Sequence, residues 1–139
     1  MLGSKSSSGN TTIISRDTVV VGDLHFNGSL DVEGLVQGNI IAVPGKDAIV
    51  RVIERGRVEG EIRVPRVVVN GEVVGDVYSA SHLELAPKAR VSGNVYYTLV
   101  EMAVGAEVNG SLKHVDDPEK IQGKQKVKTA AGGKPALVD

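Results

Sequence analysis

Short runs of alternating apolar and polar residues recur along this chain, and glycine returns at fixed offsets within them. The clearest run is Val69-Asn70-Gly71-Glu72-Val73-Val74-Gly75-Asp76-Val77. Its second half, apolar-x-Gly-x-apolar, comes back as Phe26-Asn27-Gly28-Ser29-Leu30, Val36-Gln37-Gly38-Asn39-Ile40 and Val58-Glu59-Gly60-Glu61-Ile62. It returns twice more, as Val91-Ser92-Gly93-Asn94-Val95 and Val108-Asn109-Gly110-Ser111-Leu112. In five of the six copies a small residue stands four places before the glycine: Gly34, Gly56, Gly71, Ala89 and Ala106. Alternation with period two sends successive side chains to opposite faces, so each copy predicts a short strand. The unit glycines, Gly28, Gly38, Gly60, Gly75, Gly93 and Gly110, follow one another at steps of 10, 22, 15, 18 and 17 residues. Such steps are too short for helical-pair repeats or propeller blades. They suit the coils of a β-solenoid, with valine and isoleucine stacked inward and glycine at the corners. Six coils at the strand spacing of roughly 4.8 Å make a rod about 25–30 Å long.

Taken in order, Met1 to Thr12 is rich in Ser, Gly and Asn and reads as a disordered tail. Ile13 to Val21 opens the fold, with Thr18-Val19-Val20-Val21 as its first strand. Gly22, Gly28 and Gly34 then follow at steps of six, a hexad register that the later copies break. Ala42-Val43-Pro44-Gly45-Lys46-Asp47-Ala48 reads as a bulged corner loop, and Ile49 to Arg55 as the strand that resumes after it. Arg51, Arg55, Arg57, Arg63 and Arg66 are expected to form a basic stripe on an outer face, interleaved with Glu54, Glu59 and Glu61. After Leu112 the pattern stops, which sets a folded unit at 13–115 and a lysine-rich disordered tail at 116–139. An antiparallel sandwich is the competing fold. It does not call for one repeated five-residue unit, and 3% aromatic residues is sparse for such a core.

Composition narrows the function. A formal charge of −1 gives no bulk support to nucleic-acid binding. The absence of cysteine excludes disulfides, thiolate zinc sites and a cysteine nucleophile. No apolar run is long enough to span a bilayer, and the polar stretch Ser4 to Thr12 is unlike a signal peptide. No Gly-Lys-Ser/Thr nucleotide cradle, Gly-x-Ser-x-Gly elbow or calcium-binding glycine–aspartate repeat occurs. His25, His82 and His114 stand alone in the sequence, and Asp17, Asp23 and Asp31 are placed near corners. No catalytic residue, metal or cofactor is therefore expected.

The ends remain. A solenoid leaves open strand edges and an open apolar interior at both ends, and neither end is flanked by an amphipathic helix to cap it. The expected self-contact residues are Ile13, Ile14, Val19 and Val21 at the start, and Val100, Met102, Val104, Val108 and Leu112 at the close. The expected partner is another copy of the chain, stacked end to end. Met1-Leu2 beside Lys5 reads as a frayed start, or as a weak membrane contact through Met1, Leu2 and Lys5.

The stretch Asp17-Thr18-Val19-Val20-Val21-Gly22, followed by Gly28-Ser29-Leu30-Asp31-Val32-Glu33-Gly34-Leu35-Val36-Gln37-Gly38-Asn39-Ile40, resembles the opening of the bactofilins, bacterial polymer-forming cytoskeletal proteins. The resemblance covers roughly Ile13 to Val115. It implies an all-β, single right-handed β-helix of about six coils with a triangular cross-section and disordered tails. It also implies nucleotide-independent, apolar (non-directional) filaments that scaffold cell-wall enzymes or polarity proteins in the bacterial cytoplasm, at the inner face of the membrane. Many members begin with an apolar-plus-lysine membrane motif, and some carry a phenylalanine in the last turns. Here the start is Met1-Leu2-Gly3-Ser4-Lys5, and the single phenylalanine is Phe26. Two other readings stand beside this one. A left-handed hexapeptide-repeat acyltransferase requires sustained hexads and a catalytic histidine. A monomeric binding module would use the Arg51–Arg66 face.

Overall fold

The computed structural model describes residues 10–116. These form eighteen strands and no helix, wound as six successive coils of three strands. The first coil holds β1 (Thr11–Ile14), β2 (Val19–Val21) and β3 (Leu24–Phe26), and the second β4 (Gly28–Val32), β5 (Leu35–Gln37) and β6 (Ile40–Ala42). The third holds β7 (Ala48–Val52), β8 (Arg57–Glu59) and β9 (Ile62–Arg63), and the fourth β10 (Arg66–Val69), β11 (Glu72–Val74) and β12 (Val77–Ser79). The fifth holds β13 (His82–Leu85), β14 (Arg90–Ser92) and β15 (Val95–Tyr97), and the sixth β16 (Val100–Met102), β17 (Glu107–Asn109) and β18 (Leu112–His114). Every third strand joins the same six-stranded sheet, so the rod has three faces. All the pairings are parallel, which rules out the antiparallel sandwich.

The register explains the valine-rich composition. On the second face Val20, Val36, Val58, Val73, Val91 and Val108 form a single inward column. On the third face Leu24, Ile40, Ile62, Val77, Val95 and Leu112 do the same. The first face supplies two columns, of which one runs Ile14, Val32, Val52, Val69, Leu85 and Met102. An aliphatic side chain at each step of these columns touches its equivalents above and below, so one interior is repeated along the rod.

One glycine assignment changes. The column at the corner between the second and third faces consists of Gly22, Gly38, Gly60, Gly75, Gly93 and Gly110, and from Gly38 onward each lies against the carbonyl of the glycine before it. A Cβ on Gly60 would stand 2.1 Å from the Gly38 oxygen, which no side chain tolerates. Gly28 is not in this column. It opens β4 against Asn10, so the first repeat copy is Val20-Val21-Gly22-Asp23-Leu24 and the 10-residue step becomes one of 16. The copy centred on Gly28 was the one without a small residue four places earlier. The glycine hexad is likewise dissolved: Gly22, Gly28 and Gly34 fall at three different places on the winding path.

Other local expectations shift for similar reasons. The first strand is β1, which begins at Thr11, inside the stretch read as tail. The bulged corner is present between β6 and β7, where Lys46 N–H donates to the Val43 carbonyl at 3.3 Å. The strand after it ends at Val52, because Ile53-Glu54-Arg55 turns the next corner with Arg55 at φ +81°. Asp31 lies mid-strand and pairs with Arg51 at 2.9 Å, whereas Asp23 is a true corner residue whose Oδ1 accepts the Asn39 N–H at 3.0 Å. The same corner device continues down the rod: Asn39 accepts from Glu61, Asp76 from Asn94, and Asn94 from Ser111. The tail residues 1–9 and 117–139, including Met1, Leu2 and Lys5, lie outside the described residues.

Candidate assembly interface

Each sheet ends in a strand paired on one side only. These edges are β1, β2 and β3 at one end of the rod and β16, β17 and β18 at the other. Unpaired N–H and C=O groups along three edges are a template for further strand addition.

The interior also opens at both ends. In the middle coils the inward residues are sealed, with Val52, Val58, Val73 and Val77 all at 0% exposure. In the first coil the inward positions are Thr12, Ile14, Val20, Leu24 and Phe26, of which only Ile14 is buried. In the last coil the inward positions are Val100, Met102, Val108, Leu112 and His114, all partly or well exposed. Apolar stacking positions without a neighbouring coil are thus present at each end.

The expected start residues are sorted by this register. Ile14 belongs to the open layer, while Ile13, Val19 and Val21 point to the outer faces of the same coil. At the close, Val100, Met102, Val108 and Leu112 are brought together, and Val104 stands apart at a corner, 96% exposed. Sequence reading missed Val20, Leu24 and Phe26 at the first end. The signal was available, since with Val36 and Ile40 inward, period two and the Gly22 column place all three inward as well.

His114, which stands alone in the sequence, has close neighbours in the structure. It continues the column of Tyr97, its ring 5.5 Å from the tyrosine ring, with Nε2 3.0 Å from the Thr98 carbonyl and Nδ1 3.2 Å from Asp116. His25 is exposed on the third face, and His82 is on the first face with Nε2 3.5 Å from Glu101. Among the described residues, no group of three or more metal-ligating side chains occurs.

The arginines do not make one stripe. Arg51 and Arg66 are on the first face, Arg57 on the second and Arg63 on the third, while Arg55 sits at a corner, because the chain rounds the rod between them. Arg51 pairs with Asp31, Arg63 with Glu61, and Arg57 with both Glu59 and Glu72. Hydrogen bonds donated to Glu59 and Glu72 hold the Arg57 guanidinium above its ordinary value, and the bond from Arg57 holds the Glu59 carboxyl below its own. Most of these side chains are exposed to solvent, so each pair is a small contribution to stability. A concentrated anion site on an Arg51–Arg66 face is therefore absent. A notch lined by Arg16, Glu33, Ile53, Glu54 and Arg55 is open to solvent and balanced in charge.

The third face carries an outer ladder instead. Tyr78 and Tyr96 stack with centroids 4.7 Å apart and planes 7° from parallel. Arg63 covers the Tyr78 ring at 4.0 Å, and Lys113 approaches the Tyr96 ring at 5.6 Å. Desolvation pushes the Tyr78 hydroxyl up to about 12. Both ring faces are taken by the ladder itself, so it ties coils together and leaves no platform for a stacked ligand.

With this geometry in hand, comparison with known proteins is informative. A family model described as Bactofilin, polymer-forming cytoskeletal, matches residues 12–113. The chain is 28% identical over 101 residues to Bactofilin BacO of Myxococcus xanthus (strain DK1622), spanning 73% of this chain and 77% of that relative. No solved structure matches.

Proposed function

This chain belongs to the bactofilin family of polymer-forming cytoskeletal proteins, and from that premise we propose that it assembles end to end, without nucleotide, into apolar filaments. The folded unit, expected at 13–115, begins two residues earlier in this reading because β1 starts at Thr11, and the segments outside it are left for other contacts. The observation that carries the reading is the pair of open ends, each with three unpaired strand edges around an exposed apolar layer.

The magnitudes are adequate. Fully burying one Val, Leu or Phe side chain is worth roughly 1.5–3 kcal/mol. Two apposed layers of three or four partly exposed apolar residues offer on the order of 5–10 kcal/mol. Association costs an estimated ~4–15 kcal/mol. The apolar layers therefore come close to offsetting that cost, and the strand-edge hydrogen bonds add to them.

The filament acts as a scaffold for cell-wall enzymes or polarity proteins in a bacterial cytoplasm. Contact with the inner face of the membrane would run through Met1, Leu2 and Lys5. The family is a structural one.

The test is negative-stain electron microscopy with sedimentation of the purified chain, without nucleotide. Long thin filaments are expected for the wild type, and Leu112→Asp, which charges one open layer, abolishes them while the β-sheet circular dichroism persists. A wild-type chain that stays monomeric, or one that forms a uniform trimer, overturns the reading.

A further inference from the structure

The edge between the first and second faces is uneven. Its corners hold four residues in the first coil (15–18), two in the second (33–34), four in the third (53–56), two in the fourth (70–71) and four in the fifth (86–89). A short corner between two long ones is recessed, so the second and fourth coils each leave a notch. The two notches are finished differently. At the fourth coil the neighbouring corners close over the gap: the Lys88 backbone N–H donates to Asn70 Oδ1 at 3.1 Å, and Lys88 Nζ lies 3.9 Å from the Glu54 carboxylate. At the second coil a space of about 430 Å³ stays open, lined by Arg16, Glu33, Ile53, Glu54 and Arg55. Its charges are balanced in number but not paired. Among the described residues Arg16, Glu33 and Arg55 have no ion-pair partner, and Glu54 is held from the far side by Lys88. The flanking corners offer Arg16 and Arg55, and two guanidiniums cannot bridge to each other as Lys88 and Glu54 do.

Arg55 is also held in a strained place. The Gly56 N–H donates to the Ile53 carbonyl at 2.7 Å, which makes 53–56 a tight turn with Arg55 third at φ +81°. The matching turn of the sixth coil closes from Ala106 to Ala103 and has Gly105 in the third place, at φ +105°. That place favours glycine, because a β-carbon resists positive φ. Among the described residues Arg55 is the one non-glycine residue with a positive φ. An arginine kept where the turn favours glycine, with its charge unpaired at an open notch, points to a ligand.

The lining selects the chemistry of that ligand. Arg16 and Arg55 call for an oxyanion, which a guanidinium binds through parallel N–H donors. Glu33, on the recessed corner, repels a bare anion and accepts from a donor. Ile53 supplies an apolar wall. An extended peptide with an acidic side chain meets all three demands, through its carboxylate, a nearby backbone N–H and an adjoining apolar residue.

From these features we infer that the notch at the second coil docks an acidic, extended peptide segment of a partner protein, with its carboxylate between Arg16 and Arg55. The notch lies on a side edge of the rod, so the inference stands independently of the end-to-end reading above.

The probe is a short fluorescein-labelled peptide of glycine and serine with Leu-Glu-Leu at its centre, followed by fluorescence anisotropy as the full chain is added. Anisotropy rises on binding to a single chain or to a filament, so the assembly state does not decide the result. Saturable binding is expected, with a dissociation constant on the order of 0.1 mM. A peptide with glutamine in place of the glutamate should bind about tenfold more weakly. Arg16→Ala and Arg55→Ala should each weaken the glutamate peptide about fivefold. Arg66→Ala removes another exposed arginine without an ion-pair partner among the described residues, and it should change nothing. Arg55→Gly should lose the binding and melt no lower than the wild type, because it relieves the turn. Absence of saturable binding, equal binding of the glutamine peptide, or an equal loss with Arg66→Ala overturns the site. A lower melting temperature for Arg55→Gly overturns the claim that Arg55 serves a ligand at the expense of the turn. Displacement of the peptide by an equimolar amount of acetate overturns the peptide and leaves an adventitious ion only.

Discussion

The four middle coils and the two end coils are built from one repeat unit and behave as different materials. In the middle, a valine such as Val73 has a coil on either side and no exposed surface. At the ends, its column partners Val20 and Val108 have a coil on one side only and remain partly exposed. The same side chain at the same place in the unit is thus core in one coil and contact surface in another. In a stacked-coil protein the distinction between folding and association is one of position along the rod, because each coil is stabilised mainly by its neighbours.

The strongest way to break this comparison is a buried charge in the middle. Val73→Asp places an unpaired carboxylate in a sealed apolar column, and a loss of at least ~4 kcal/mol is expected, enough to unfold the chain. Leu112→Asp makes the same chemical change where water is at hand, and the loss of folding stability should stay under about 1 kcal/mol. Urea denaturation of both variants checks the contrast. Equal losses would mean that the end layer is as much core as the middle.

A second contrast uses the glycine column. Gly60→Ala drives a methyl into the Gly38 carbonyl, whereas a Cβ on Gly22 meets nothing within 4 Å. Gly22→Ala keeps only the backbone cost of φ +122°, on the order of 1–2 kcal/mol. Gly60→Ala should lose several kcal/mol, of the size of an overpacked core. Thermal melts of the two variants in a non-assembling background rank them, and a reversed order would place the clash wrongly.

The smallest effect sharpens the comparison on the outside. Tyr78 belongs to the middle coils, stacked on Tyr96 beneath Arg63. Its hydroxyl is pushed from 10.0 to about 12. The unfolded chain therefore gives up this proton at a lower pH than the folded one. The stability linked to it is intact below pH 10 and is lost as the pH rises through about 12. Tyrosinate absorbance during an alkaline titration should show Tyr78 titrating late, and Tyr78→Ala should remove that late phase and cost about 1–2 kcal/mol.

Much of the fold was legible in the sequence because the restraint is local and repeated. Val-x-Gly-x-apolar alternates, so it forms strands, and its recurrence demands stacking whatever the exact step. The glycine column was misassigned at one copy because Phe26-Asn27-Gly28-Ser29-Leu30 satisfies the short pattern by itself. Only the missing small residue before it hinted that the copy belonged elsewhere. Of the end residues, Ile14, Val100, Met102, Val108 and Leu112 could be read as one kind, since apolar residues in a terminal repeat have no further coil to meet. Ile13, Val19 and Val21 could not be separated from them without the register, because a slip of one residue exchanges the two sides of a strand.

By itself, then, the sequence determined that this protein is a valine-lined solenoid with glycine corners and two uncapped ends, since period and composition are properties of the chain alone. The tertiary structure decided which residues share a column. It dispersed five arginines over three faces and a corner, aligned Tyr78 with Tyr96 across 18 residues, and turned Phe26 toward the open interior. The coils differ in length, so neighbours in space are set by accumulated corner geometry, and no short window of sequence carries that sum.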